Sequence, residues 1–180
     1  MTVAGHDPGL ENTLGEVNHW FFDDYLTRWI SVVNGTCQEG PEFILGYWGC
    51  PLHVSSPGMN RWLTEPQDVT GLLWETQARL REARYTHTAV VDSRTTVFHP
   101  GGVAIEVIWS RRAAETEIER RAVHFQAVRN QDGWRVIGIQ EIGTAAQSLD
   151  ELWPIHRERH RDRGSPAQQT WHIRTTGWSR

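Results

Sequence analysis

The sequence predicts an α+β domain, with helices in the first half and a run of hairpin-connected strands in the second. Two observations carry this prediction. Apolar residues recur at i+3/i+4 spacing between 17 and 32, and again between 69 and 83. After Arg84 the period changes to alternation, punctuated by turn signals at 99–102 and 130–133. Strands that follow one another through short turns pair antiparallel, unlike the alternating helix–strand order of a parallel sheet.

Residues 1–12 are polar and carry Gly and Pro, which predicts a flexible N-terminal arm. Thr13-x-x-Glu16 reads as a capping box that opens the first helix. Val17, Phe21, Tyr25, Trp29 and Val32 form its apolar face, and Asn34-Gly35 ends it. The face is aromatic, which suits packing on a sheet and also suits the wall of a cavity. A first strand is predicted over 47–55, with Pro51 making it an edge strand or a bulged one. Ser56-Pro57-Gly58 is a turn. A second helix follows over 65–83, capped by Thr64 with Pro66 in its first turn; Val69, Leu72, Leu73, Thr76, Leu80 and Ala83 form its stripe. Four strands then cover 85–97, 103–111, 121–129 and 134–141.

The 180 residues fit one domain with a terminal extension, large enough to need no disulfide or metal staple. No apolar run reaches the ~18 residues of a membrane helix. No secretory signal opens the chain, and two cysteines are too few for a disulfide framework, so a cytoplasmic protein is expected. All 18 basic residues are arginine. Without lysine there is no Schiff base, no pyridoxal-phosphate attachment and no phosphate-loop lysine. No GxGxxG follows a strand, so no dinucleotide site is expected. The prediction is a protein without a cofactor. Residues 1–150 carry net charge −7, a poor nucleic-acid surface, whereas 151–180 carry +3. Glu158 and Asp162 interrupt the arginines of 157–163, which reads as a solvated charged face. His156 and His160 share a helical face, but no HExxH or CxxC accompanies them, and no metal site is expected. Trp171 and Trp178 suggest that the tail anchors on the body or on a second subunit.

Three stretches carry a family resemblance. Tyr47-Trp48-Gly49-Cys50-Pro51-Leu52-His53-Val54 with Ser56-Pro57-Gly58 looks like the first strand and turn of an NTF2-like (SnoaL-like) domain. Leu80 to Tyr85 resembles that family's entry into the sheet, and Asp132-Gly133-Trp134-Arg135-Val136-Ile137 its hairpin into the last strand. The resemblance covers about 14–142. It implies a cone: a curved antiparallel sheet wrapped around a long N-terminal helix, with an apolar pocket inside. The chain then divides into the arm 1–12, an NTF2-like domain 13–145 and a C-terminal extension 146–180. Members of the family include isomerases, dehydratases, epoxide hydrolases and polyketide cyclases, and others only bind or dimerise, so the fold does not name a reaction. The tyrosine–aspartate set of the ketosteroid isomerases and the Asp-Arg-Asp set of the epoxide hydrolases have no counterpart here.

Strand parity selects the candidate site. On 103–111, Ala104, Glu106, Ile108 and Ser110 share one face; Ile105, Val107 and Trp109 share the other. On the next strand His124, Gln126 and Val128 share a face. A hairpin turning about Glu115 sets Glu106 opposite His124. A carboxylate beside an imidazole fixes its tautomer and raises its basicity, as a general base near neutral pH requires. The same pair on the solvent side is a surface pair with no role. The resemblance implies that polar residues of these strands point into the cone. His53 is a third catalytic candidate, Tyr25 a donor to an enolate-like oxygen, and Trp29, Trp48, Trp62 and Gln126 complete the substrate wall. The expected function is acid–base catalysis of cyclisation, isomerisation or dehydration on a hydrophobic small molecule. The alternative is a non-catalytic ligand-binding or dimerisation module. Val107 and Trp109, placed by this reading on the convex face, predict a homodimer through the sheet.

Overall fold

The computed structural model describes residues 8–152. A helical N-terminal arch comprises α1 (Pro8–Asn18), a π-helical turn (His19–Tyr25) and α2 (Leu26–Val33). A 3-10 turn (Pro41–Gly46) leads into β1 (Trp48–Ser56) and β2 (Met59–Leu63); α3 (Pro66–Glu82) follows. Then come β3 (His87–His99), β4 (Gly102–Ala113), β5 (Thr116–Asn130), β6 (Gly133–Gly143) and the short α4 (Leu149–Leu152). The six strands form one curved sheet in the order β2-β1-β6-β5-β4-β3. Every pair is antiparallel except β1 with β6, which runs parallel. His156, His160, Trp171 and Trp178 lie outside the described residues, as does residue 1–7 of the predicted arm.

The first helix begins at Pro8 rather than at the predicted capping box. Thr13 sits inside it, its hydroxyl donating to the Gly9 carbonyl (2.9 Å). Glu16 turns away from the helix end; it pairs with Arg129 (3.0 Å) and accepts the Trp134 indole N–H (3.3 Å). Those contacts tie α1 to the β5–β6 hairpin. The π turn inserts a residue into the helical register. The buried face consequently runs Val17, Phe21, Tyr25, Leu26, Trp29, Val32. Gly35 ends the helix in the left-handed region (φ +81°), where a side chain is disfavoured.

Helix α3 starts at Pro66 with Glu65, not Thr64, at its N-cap, and no side chain caps it. It packs against α2 and adds donors to the last carbonyls of that helix, where the Gly35 N–H already reaches the Val32 carbonyl (3.3 Å). The Gln77 amide donates to the Val32 carbonyl (3.0 Å), and the Arg81 guanidinium donates to Val32 and Val33 carbonyls (3.1 Å each). Both helices pack on one face of the sheet. There Ile105, Val107, Trp109, Val123 and Phe125 are buried with Phe21. Phe21 meets Phe125 edge-on (5.0 Å between centroids) and stacks on Trp109 (6.1 Å).

Two strand details decide which side chains reach that interior. The β4–β5 turn leaves Ala113 opposite Thr116, and a one-residue irregularity brings Arg111 opposite Glu119. In β6 the register slips between Gln126 and Ala127, so that Gly138 and Val136 are successive partners and Ile137 is the extra residue. Pro51, preceded by a cis peptide bond, lies within the register shift between Trp48 and His53. Strand β2 escapes sequence reading because five residues with one buried side chain carry little alternation.

Candidate functional site

The concave side of the sheet and the helices line a pocket that opens to solvent. Its walls are aromatic and aliphatic: Trp29, Trp48, Trp109 and Phe125, with Leu72 and Leu73 of α3. Polar groups are few, namely Tyr25, Thr76, Arg79, Thr88, Arg111 and Glu141.

The charged groups form one linked cluster. Glu119 of β5 accepts from both terminal nitrogens of Arg79 (3.1 Å each), from Arg111 Nη1 (2.6 Å) and from Arg121 Nε (3.0 Å). Arg121 Nη1 also donates to Glu141 (3.3 Å). Burial alone would raise the Glu119 pKa, but the Arg79 and Arg111 guanidiniums override it and hold the carboxyl at about 2. The Arg111 guanidinium lies over the Trp29 ring at 5.0 Å from its centroid.

Two donors in this pocket lack a hydrogen-bond acceptor. The Trp48 indole Nε1 and the Arg111 Nε are buried with no acceptor in hydrogen-bond geometry, the contact of the indole with the Tyr25 hydroxyl falling short of that geometry. Both groups act on Tyr25, whose phenol burial pushes far above the ordinary tyrosine range while Trp48 and Arg111 pull the other way. Tyr25, Trp48 and Arg111 all line the pocket. Nearby, burial pushes the Tyr85 phenol up to about 12, and its hydroxyl shares a hydrogen bond of 2.7 Å with Thr88.

Of the candidates read from the sequence, Tyr25, Trp29 and Trp48 line the pocket. The others do not. Glu106 stands opposite His124 in the β4–β5 ladder, with Glu106 Oε1 and His124 Nδ1 3.8 Å apart. The pair faces away from the helices. Strand registers place Arg94, Glu106, His124, Gln140, Ser55 and Asn60 in one polar row across the outer face. The adjacent row holds Gln126, Gly138, His53 and Trp62. Glu106 is engaged by Arg94 Nε (2.8 Å). His53 Nε2 meets Asn60 Oδ1 (2.8 Å) and Trp62 is 63% exposed. The physical reason is parity: β4 is buried on both faces, so the apolar neighbours of Glu106 do not mark the pocket side. Ile108 packs outward with Ala122 under Leu149 of α4. Val107 and Trp109, expected on the convex face, are interior.

The pocket carboxylate is Glu141, which the sequence reading left out. It stands opposite Val123 on the inner face. Simple alternation from Trp134 and Val136 would turn position 141 outward; the extra residue Ile137 in β6 reverses that. The one available signal was the alternating arginine–glutamate content of the strands, and charge alone does not reveal a bulge.

A sheet curved over a helix pair, with an apolar pocket between them, defines a cone-type small-domain fold. The family comparison agrees: residues 15–144 match the model of the NTF2-like protein family DUF6841, and the chain belongs to that family. The fold is similar to an NTF2-like protein with a cystatin-like fold from Novosphingobium aromaticivorans, at 13% identity and TM-score 0.54, covering 80% of this chain and 94% of that one. It is also similar to the yeast UBP3-associated protein BRE5, at 8% identity and TM-score 0.51, covering 68% and 92%. Identities this low establish the fold alone. No curated protein matches the chain. Among the described residues no group of His, Cys, Asp and Glu is arranged to hold a metal, and no helix is long and apolar enough to cross a membrane.

Proposed function

We propose that the protein binds a hydrophobic small molecule inside the cone. The observation that carries this is the aromatic pocket among whose lining residues two buried donors, Trp48 Nε1 and Arg111 Nε, lack an acceptor in hydrogen-bond geometry. An unpaired buried donor costs about 1–3 kcal/mol, a cost that a bound acceptor removes. Native mass spectrometry of the full chain, purified without detergent, tests it. A small-molecule adduct is expected, and Thr76→Phe, which places a ring in the pocket, should abolish it. An adduct that persists in that variant puts the ligand elsewhere.

A second reading, acid–base catalysis on the bound molecule, is favoured by Glu141. It is a carboxylate in the pocket wall, held by Arg121, and Tyr25 supplies a hydroxyl in the same wall. In this reading Glu141 takes over the role first assigned to the Glu106–His124 pair, and cyclisation, isomerisation or dehydration are the reactions such a pair of groups serves. Glu141→Gln is expected to keep ligand affinity and lower turnover about 10²–10⁴-fold, whereas Glu106→Gln leaves turnover unchanged. Equal loss in both variants would return the outer-face pair to the mechanism.

A further inference from the structure

We infer that the ligand of this pocket is a ring-bearing carboxylic acid, its carboxylate received by Arg111 and Trp48 and its apolar body by the aromatic wall. The inference rests on the pocket being a ligand site and adds the chemical class of the ligand.

The argument begins with charge. Three guanidiniums, Arg79, Arg111 and Arg121, share two carboxylates, Glu119 and Glu141. The cluster carries one surplus positive charge, and Arg111, 11% exposed, is its most buried guanidinium. An anionic ligand group beside Arg111 relieves that charge where solvent reaches it least. One surplus charge matches a monoanion, and a dianionic phosphate exceeds it.

Hydrogen-bond capacity gives the same answer. Glu119 is already saturated by three arginines, and Glu141 is engaged by Arg121. The Thr76 hydroxyl donates to the Leu72 carbonyl (2.9 Å) and Thr88 is paired with Tyr85. Two buried donors are left without an acceptor in hydrogen-bond geometry: the indole N–H of Trp48, 8% exposed as a residue, and the Nε–H of Arg111, whose side chain is 11% exposed. Arg111 is also fixed from two sides, by Glu119 through Nη1 and by the Trp29 ring beneath its plane. A guanidinium held in this way is preorganised and gives up little entropy when it takes a ligand. Arginine and indole donors in the lining of one pocket call for a ligand group that only accepts, and an ionised carboxylate does so with two oxygens.

The body of the ligand follows from the wall. Trp29, Trp48, Trp109 and Phe125 present ring faces and edges, which favour a flat ring system by offset or edge contacts.

The test uses 2-naphthoate and its neutral analogue 2-naphthamide, titrated calorimetrically into the full-length protein. Naphthoate is expected to bind at least about 10-fold more tightly than the amide, the worth of one charge-assisted hydrogen bond. Arg111→Gln should erase that preference while leaving the amide affinity in place. Because Arg111 also braces Glu119, Trp48→Phe serves as a second variant that keeps an aromatic side chain and removes the N–H along with the pyrrole ring; it should reduce the preference for the acid over the amide several-fold. Equal affinity for acid and amide, both lost in Thr76→Phe, overturns the carboxylate inference and leaves the pocket reading standing. Preference for the acid that survives Arg111→Gln and Trp48→Phe also overturns it. Naphthoate binding unchanged by Thr76→Phe, or no binding of either probe, overturns it as well, and the first of those removes the pocket as the binding place.

Discussion

Glu119 shows how much one residue organises here. It is 15% exposed and answers three arginines from α3, β4 and β5. Its pKa falls from 4.5 to about 2 on folding, so the carboxylate stabilises the native state wherever it is ionised in both states. That contribution is complete above pH about 4.5 and disappears as pH falls through about 2. A shift of this size is worth on the order of 3 kcal/mol. Chemical denaturation of wild type should therefore show stability declining across that window. Glu119→Gln should be less stable at neutral pH and should flatten the decline. An unaltered slope would mean that other carboxylates govern the acid response. At this same scale, chemistry was partly legible in the sequence. The opposition of Glu106 and His124 follows from counting around a hairpin. Which face they occupy does not, since their neighbours Ile105, Val107 and Ile108 are all fully buried.

Elements inherit their ends from other elements. The last carbonyls of α2 are satisfied by Gln77 and Arg81 of α3, residues 45 to 49 positions away in sequence. A helix C-terminus buried without such partners would cost free energy at each orphaned carbonyl. Gln77→Ala is expected to destabilise the fold by about 1–2 kcal/mol, moderated because Arg81 still reaches the Val32 carbonyl. Thermal or urea unfolding measures it; a variant as stable as wild type would show that water or Arg81 replaces the amide fully. Helix positions were readable from spacing, because Val69, Leu73, Gln77 and Leu80 keep a helical interval. Two irregularities were not readable. The π turn at His19–Tyr25 and the extra residue Ile137 each add one residue to a regular period, and neither has a composition of its own. The second of these decides that Glu141 enters the pocket.

At the scale of the whole molecule, the sheet separates two environments. Its inner face is the aromatic core and the pocket; its outer face carries the polar row from Arg94 to Asn60, with α4 over one corner. Leu149 of α4 packs on Ile108 and Ala122, and its N–H donates to Asp92 (2.8 Å). The expected homodimer through the sheet rested on Val107 and Trp109, and both are inside. A sheet-to-sheet dimer would instead join two polar faces, centred on Arg94, Glu106 and His124. Such an interface weakens as salt screens its charges. With no apolar patch of Val107 and Trp109 to drive it, any association through this face should fall with salt in light scattering at low and at high ionic strength; a dimer indifferent to salt would place the interface on another surface.

The sequence by itself determined the helices, the strand ladder, the cone family and the aromatic wall of Tyr25, Trp29 and Trp48, because each rests on periodicity or on contiguous local motifs. The tertiary structure decided which face of the sheet is interior, and with it that Arg79, Arg111 and Glu141 line the pocket while Glu106, His124, His53, Gln126 and Trp62 do not. Parity is relative: alternation sorts the residues of a strand into two sets and leaves unsaid which set meets the helices. A strand buried on both faces removes the usual hydrophobic clue, and one added residue in β6 inverts everything beyond it. Only the packing of α2 and α3 against the sheet assigns the sides.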